Sequence, residues 1–325
     1  MGMFILALLL SFVPALLYAL LLYSIDRFEK EPLRLVIGCF LWGAIIAAGG
    51  AFIGNTAFGL TVYAFTGDEK LAAELGSVLS APVLEELVKG AAVLGVFLRF
   101  RHEFDTVLDG VVYAGITALG FAATENVLYL YVHAYLEQGT GLMLGTFFAR
   151  VVLAGWLHPI FTACFGIGLA FARLSRDPFT TLAAPVAGLL LAMVLHATHN
   201  GLVTYFSTAG WVIALLIHWV EWVAMALVIA WALLRQRRWL RQYLPDEVAR
   251  GTLSDEECRA ACSLRGNFHA RRQGPLARRL FRTLTRLAIS KHHAALGHTD
   301  GAERRVEQLR VDILALRAQR AHGAG

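Results

Sequence analysis

Two adjacent glutamates and a lysine, Glu85, Glu86 and Lys89, interrupt an apolar run extending from about Leu75 to Leu98. A helix of about 20 apolar residues crosses the hydrocarbon core of a bilayer, and ionised groups at that depth are costly unless they are paired or face a wet cavity. Whatever this chain folds into must bring other polar residues to meet these three. Composition agrees with a membrane setting: of 325 residues, 57% are hydrophobic and only 16% charged.

Hydropathy predicts an all-α, polytopic transmembrane bundle of about seven spans, near 3–24, 33–54 (extending toward Phe65), 75–98, 107–132, 142–172, 181–206 and 210–234. Met3–Leu22 lacks a basic leader and a small-residue cleavage site, so it is read as a retained helix. Positive residues follow alternate spans: Arg27, Lys30 and Arg34, then Arg99 and Arg101, then Arg173 and Arg176, then Arg235, Arg237, Arg238 and Arg241. The opposite connections carry one lysine among them, so the positive-inside rule puts the N-terminus outside and the C-terminus in the cytoplasm.

The net charge of +5 is unevenly distributed. Residues 235–325 hold 19 Lys/Arg against 9 Asp/Glu, and the rest of the chain holds 10 against 15. The division expected is a transmembrane domain over 1–240 and a basic cytoplasmic helical tail over 241–325, with Ser254-Asp-Glu-Glu257 as a capping box opening one of its helices. Its arginines suit a solvated helical hairpin beside the inner leaflet better than a nucleic-acid surface, so no nucleic-acid partner is expected. The four cysteines have no metal-finger spacing, and no disulfide framework is indicated.

Depth along each helix, at about 1.5 Å per residue, places Glu85, Glu125, Arg150, His158, His196, His199 and Asn200 in one slab of the outer half to middle of the bilayer. They come from four different spans, and independent accidents would not share a depth. Within the spans, Glu85 and Lys89, Phe121 and Glu125, and His196 and Asn200 are each four apart and share a helix face. Glu85 and Glu86 point about 100° apart, so one can face a cavity while the other takes a cation such as Lys89 or Arg150. A carboxylate in such a cavity suits a general base acting on water. Histidines can hold a divalent metal or bind a developing oxyanion, and an asparagine amide can donate to that oxyanion.

At these residues the chain resembles the PrsW-type intramembrane proteases, distant relatives of the CAAX-prenyl protease and bacteriocin-processing group. The blocks that carry the resemblance are Ala81-Pro82-x-x-Glu85-Glu86-x-x-Lys89, Asp109-Gly110-x-x-Tyr113, Gly120-Phe121-Ala122-x-x-Glu125-Asn126, His158-Pro159 and His196-x-x-x-Asn200, in that order. The loop Asp26-Arg27-x-Glu29-Lys30-Glu31-Pro32 is similar to that family's first cytoplasmic loop, and the likeness covers about residues 20–205.

The resemblance implies peptide-bond hydrolysis in or near the membrane, on a membrane-anchored protein such as an anti-sigma-factor-like regulator, in a bacterial inner membrane. It marks Glu85, Glu86, Glu125, His196 and Asn200 as catalytic, with Lys89, Phe121, Arg150 and His199 in support. Two chemistries are implied. In one, His158, His196 and Glu125 hold an ion, with Zn2+ the candidate, and Glu85 or Glu86 is the base. In the other, no metal takes part, Glu85 activates water, and His196 and Asn200 stabilise the oxyanion.

Plainer readings exist for the same residues. Glu85, Glu86 and Lys89 can form a structural ion-pair network, Glu125 and Asn126 can serve helix association, and His158 can answer the carbonyl freed by Pro159. His218 and Glu221 read as a local hydrogen-bonded pair, and Asp109 as a helix-start residue or a partner for Arg99 or Arg101. Gly43, Gly49, Gly50 and Gly54 read as close-packing positions. From a different functional class, a proton- or ion-coupled transporter would use the Glu/His cluster as a relay, although no inverted repeat or interrupted helix is visible.

Overall fold

The computed structural model describes residues 1–297 and 301–322. Among these the chain is helical throughout, with no strand. It divides into two compact units, one formed by Met1–Tyr23 and Glu31–Leu227, the other by Ser24–Lys30 and the chain from Val228 onward.

The first unit contains α1 (Gly2–Ile25), α2 (Leu33–Thr66), α3 (Ala81–Arg99), α4 (Val107–Gln138), α5 (Thr140–Leu174) and α6, which runs from Pro178 to Tyr243 and continues into the second unit. Six described helical segments are long and apolar enough to cross a membrane. They are α1, α2, α4, α5 and the two parts of α6, Pro178–Phe206 and Thr208–Ala249, the last running past Tyr243. The expected span at 75–98 stands apart from them because α3 carries Glu85, Glu86 and Lys89.

A straight helix of the 66 residues of α6 would be about 100 Å long. Instead it folds back: Nε2 of His218 lies 3.0 Å from Nδ1 of His199, 19 residues earlier. Gly210 lies at the bend, where a Cβ would sit 1.8 Å from the Leu202 carbonyl oxygen.

Helix α4 is the centre of the first unit and packs against α2, α3 and the second half of α5. It opens with a capping box in which Thr106 and Asp109 satisfy each other's backbone N–H groups, so Asp109 is a helix-start residue. From Val107 to Ala123 every residue is buried. Two neighbours approach it through glycine: a Cβ on Gly43 would fall 1.9 Å from the Thr117 carbonyl oxygen, and one on Gly110 would fall 2.2 Å from that of Gly166. Lipid offers apolar side chains no hydrophobic gain on meeting each other, so such backbone approaches supply the packing energy. Of the other expected close-packing glycines, Gly54 abuts Leu84, whereas Gly49 meets nothing within 4 Å and Gly50 only Val88 at 3.8 Å.

Four π-helical turns interrupt the helices at Trp42–Ala47, Gly76–Ser80, Leu128–Tyr135 and Phe148–Leu153. Such turns are rare and concentrate near functional positions. Here one precedes the helix of Glu85, one follows Glu125, and one contains Arg150.

The second unit is built from α7 (Pro245–Ala249), α8 (Asp255–Ala261), α9 (Gly266–Arg272), α10 (Pro275–Ala295) and α11 (Ala302–His322). The expected capping box at Ser254 and Glu257 opens α8. Its core joins Leu240, Leu244, Leu280, Leu284, Leu287 and Ile313 around Phe28, which comes from the loop after α1. The loop is held by its backbone: Thr285 donates to the Phe28 carbonyl at 2.7 Å, Asn267 to that of Arg27 at 3.1 Å, and Arg286 pairs with Glu29 at 2.7 Å. All four cysteines are free.

Candidate active site

Helix α3 turns its two glutamates to different partners. Glu86 is fully engaged: its Oε1 lies 2.6 Å from Lys89 Nζ and 3.0 Å from His196 Nδ1, and its Oε2 accepts from Thr162 at 2.8 Å. Glu85 lines a cavity of about 990 Å³ together with Glu125, Arg150, His158, His196 and Asn200. Its Oε2 is buried and has no hydrogen-bond partner, lying 3.9 Å from Lys89 Nζ and 3.8 Å from His196 Nε2. One carboxylate takes the cation and the other faces the open space.

Glu125 comes from the end of the buried stretch of α4. Its Oε2 forms ion-pair contacts, 2.8 Å from Arg150 Nη2 and 3.0 Å from His158 Nε2. Arg150 also donates to Asn126 at 3.1 Å and stacks its guanidinium over Tyr129 at 3.6 Å, so the guanidinium is fixed from three sides. Lys89 is fully buried, touches His158 Nδ1 at 3.3 Å and lies 4.6 Å from the centre of the Phe121 ring.

These contacts fix the proton positions on both histidines. An ammonium only donates, so Nδ1 of His158 accepts from Lys89, which leaves the ring proton of the neutral imidazole on Nε2, 3.0 Å from Glu125 Oε2. His196 donates Nδ1–H to Glu86, which leaves the lone pair of Nε2 toward Glu85. Each histidine is thus backed by a carboxylate, the arrangement that orients imidazole as a metal ligand. One ligand atom from each of Glu85, His158 and His196 lies within 4.8 Å of the others. Two histidines and one carboxylate match a catalytic zinc site, which keeps a further position open.

Residues 31–233 match the model of the PrsW family of intramembrane metalloproteases. The chain belongs to that family. Among curated relatives, Protease PrsW of Geobacillus kaustophilus is 31% identical over 206 residues, covering 62% of this chain and 82% of that protein. Protease PrsW of Bacillus subtilis is 27% identical over 215 residues (64% and 83%), and that of Clostridioides difficile 26% over 212 (65% and 84%). No solved structure matches the chain. Membership of the PrsW family makes the chain an integral membrane peptidase, in place of a coupled transporter.

Several PrsW-family positions expected to act together do meet: Glu85, Glu86, Lys89, Phe121, Glu125, Arg150, His158 and His196 form one connected group. Asn200 lines the same cavity but donates to the Ser77 carbonyl at 2.8 Å. His199 lines it too, yet bonds His218, which in turn holds Glu221 at 2.9 Å. The local pair expected at His218 and Glu221 is present and extends to a third residue. Sequence reasoning missed Thr162 and Tyr129. A threonine in an apolar helix usually returns its hydroxyl to the preceding turn, and nothing in its spacing announces a carboxylate from another span.

Proposed function

We propose that this PrsW-family chain hydrolyses a peptide bond of a membrane-anchored protein inside its own cavity, with Glu85 as the group that receives the water proton. The observation that carries this reading is Glu85, which lines the cavity with an Oε2 that accepts no hydrogen bond, while Glu86 is tied to Lys89, Thr162 and His196. Glu86 and Glu125 then serve as positioning residues for His196 and His158. Asn200 has a second amide N–H beyond the one given to Ser77, and that donor suits the oxyanion of the scissile carbonyl.

The donor set supports His158, His196 and one oxygen of Glu85 as the groups that would hold a divalent ion such as Zn2+, which would leave the other Glu85 oxygen for the water proton, with Glu125 behind His158 rather than bound directly. When bound, such an ion polarises a carbonyl and acidifies water. Lys89 lies 3.3 Å from Nδ1 of His158, so that nitrogen would be open to an ion only if the ammonium gave it up. The resemblance supports an anti-sigma-factor-like substrate and a bacterial inner-membrane location. The transmembrane part, residues 1–240, is proposed to contain the whole proteolytic machinery, with 241–325 as its appendage.

The test is cleavage of a single-span reporter by purified full-length protein in bilayers, with elemental analysis of the same preparations. Glu85→Gln is expected to abolish cleavage while leaving the fold intact; normal cleavage by that variant refutes the assignment. About one zinc per chain, lost in His158→Ala/His196→Ala, supports the metal site. A metal-free parent that still cleaves overturns that part and leaves Glu85 acting on water alone.

A further inference from the structure

The second unit contains a cavity that hydrolysis does not use. Its volume is about 410 Å³, and its charged lining consists of Lys30, Arg279, Arg282 and Arg286 against Glu29 and Asp312. Arg286 is neutralised by Glu29 at 2.7 Å. Arg279 is exposed and makes no ion pair among the described residues. The surplus of cations extends beyond the lining, because residues 258–299 contain nine Lys/Arg and no Asp or Glu.

Lys30 records the same surplus. It is buried at the cavity wall, and burial pushes its ammonium down to about 8. Asp26 pulls it back up, while Arg271, Arg282 and Arg278 push it further down. The cavity wall thus brings Lys30, Arg279 and Arg282 together with Arg271 and Arg278 nearby. The guanidiniums of Arg279 and Arg282 also suit one anion in particular, since their planar donors match the oxygens of a phosphate.

We infer that this cavity binds the phosphate of an anionic lipid headgroup. Its position in the chain selects the lipid over other phosphates. Lys30 lies five residues past the end of α1 and three before the start of α2, and an extended chain covers at most about 3.6 Å per residue. The loop that lines the cavity is therefore tethered on both sides to membrane-spanning helices. The rest of the lining, Ala315 and Leu316 beside Thr283 and Gln319, is mixed apolar and polar as a glycerol backbone requires.

The experiment is native mass spectrometry of the full-length protein in detergent, titrated separately with phosphatidylglycerol, phosphatidylcholine, glycerol phosphate and a single-stranded oligonucleotide. Phosphatidylglycerol is expected to bind at a discrete stoichiometry and more tightly than the other three. Each cation near an anionic headgroup contributes about 1 kcal/mol, so Arg279→Gln/Arg282→Gln should weaken binding by about 30-fold. Arg259→Gln/Arg304→Gln removes the same charge away from the cavity and should change it less than about twofold. Asp312→Asn, at an exposed position in the lining, should tighten binding about fivefold and keeps the test independent of how well the arginine variants fold. Equal losses in both arginine pairs, or no gain from Asp312→Asn, would reduce the effect to diffuse charge and overturn the site. Equal or tighter binding of glycerol phosphate or oligonucleotide would overturn the lipid assignment.

Discussion

Glu86 and His196, 110 residues apart in the chain, meet through Oε1 and Nδ1 at 3.0 Å, and this one bond sets which imidazole nitrogen faces the cavity. Glu86→Gln keeps the shape of the side chain but lets the amide donate as well as accept, which frees the ring to choose the other tautomer. Loss of such a backing carboxylate typically costs about 10- to 100-fold in metal affinity or activity. Zinc content at limiting metal, followed alongside reporter cleavage, should fall in that range while helicity is unchanged; undiminished zinc and cleavage would dismiss the role given to Glu86.

Lys89 is completely buried and neutralises Glu86 at 2.6 Å. Lys89→Met leaves that carboxylate charged with only Thr162 and His196 to bond it and no cation beside it, at a cost of about 3–5 kcal/mol. Adding Glu86→Gln should recover a large part of the loss, because the pair is then removed together. Thermal unfolding of the two single variants and the double variant reads this directly, and strictly additive losses would show that the ion pair is not what holds α3 in place.

Gly43→Ala drives a methyl group to 1.9 Å from a backbone oxygen of α4, whereas Gly49→Ala meets nothing within 4 Å. The first should destabilise by about 1–3 kcal/mol or more, since neither helix backbone can yield cheaply. The second should be neutral or stabilising by about 0.5–1 kcal/mol, the helix preference of alanine over glycine. Melting temperatures in one detergent provide the comparison. Similar behaviour of the two variants would argue against the close approach of α2 to α4.

Asp26 lies outside the spans, buried in the loop held by the second unit, where burial pushes its carboxyl up to about 7 against the pull of Lys30. A carboxyl that holds its proton more tightly when folded stabilises the fold fully below its unfolded value, near 3.8, and loses that contribution as pH rises through about 7. Asp26→Asn preserves the Oδ1 acceptor for the backbone N–H groups of Phe28 and Glu29 and abolishes the titration. Melting temperature should therefore fall between about pH 4 and 7 more steeply in the parent than in the variant. Parallel pH curves would remove Asp26 from the account.

The membrane class and the all-helical architecture were legible because they depend on composition and on helical periodicity, and the meeting of Glu85, Glu125, His158 and His196 because polar residues in apolar helices seek one another. The division of labour between Glu85 and Glu86 was legible only in part. Their 100° separation required different surroundings, but which one met Lys89 depended on where α4, α5 and α6 lay. Thr162 and Tyr129 were hidden for the same reason, since both act on residues from other helices. The π-helical turn containing Arg150 has no composition that distinguishes it from the α-helix around it. His199 lines the cavity, but its bond to His218 depends on the fold-back at Gly210, which periodicity does not see.

Phe28 is buried among residues that reach as far as Ile313. During synthesis the loop after α1 therefore emerges some 250 to 285 residues before its partners on α10 and α11 exist. At about 5–20 residues per second, it waits roughly 15–60 s with an uncovered aromatic side chain. The helices that carry the Glu/His cluster, α3 to α6, all emerge within that interval, so the loop precedes them and is among the last to find its place. A nascent chain released early would carry every residue of the Glu/His cluster and still display Phe28 to the quality-control proteases of the cell.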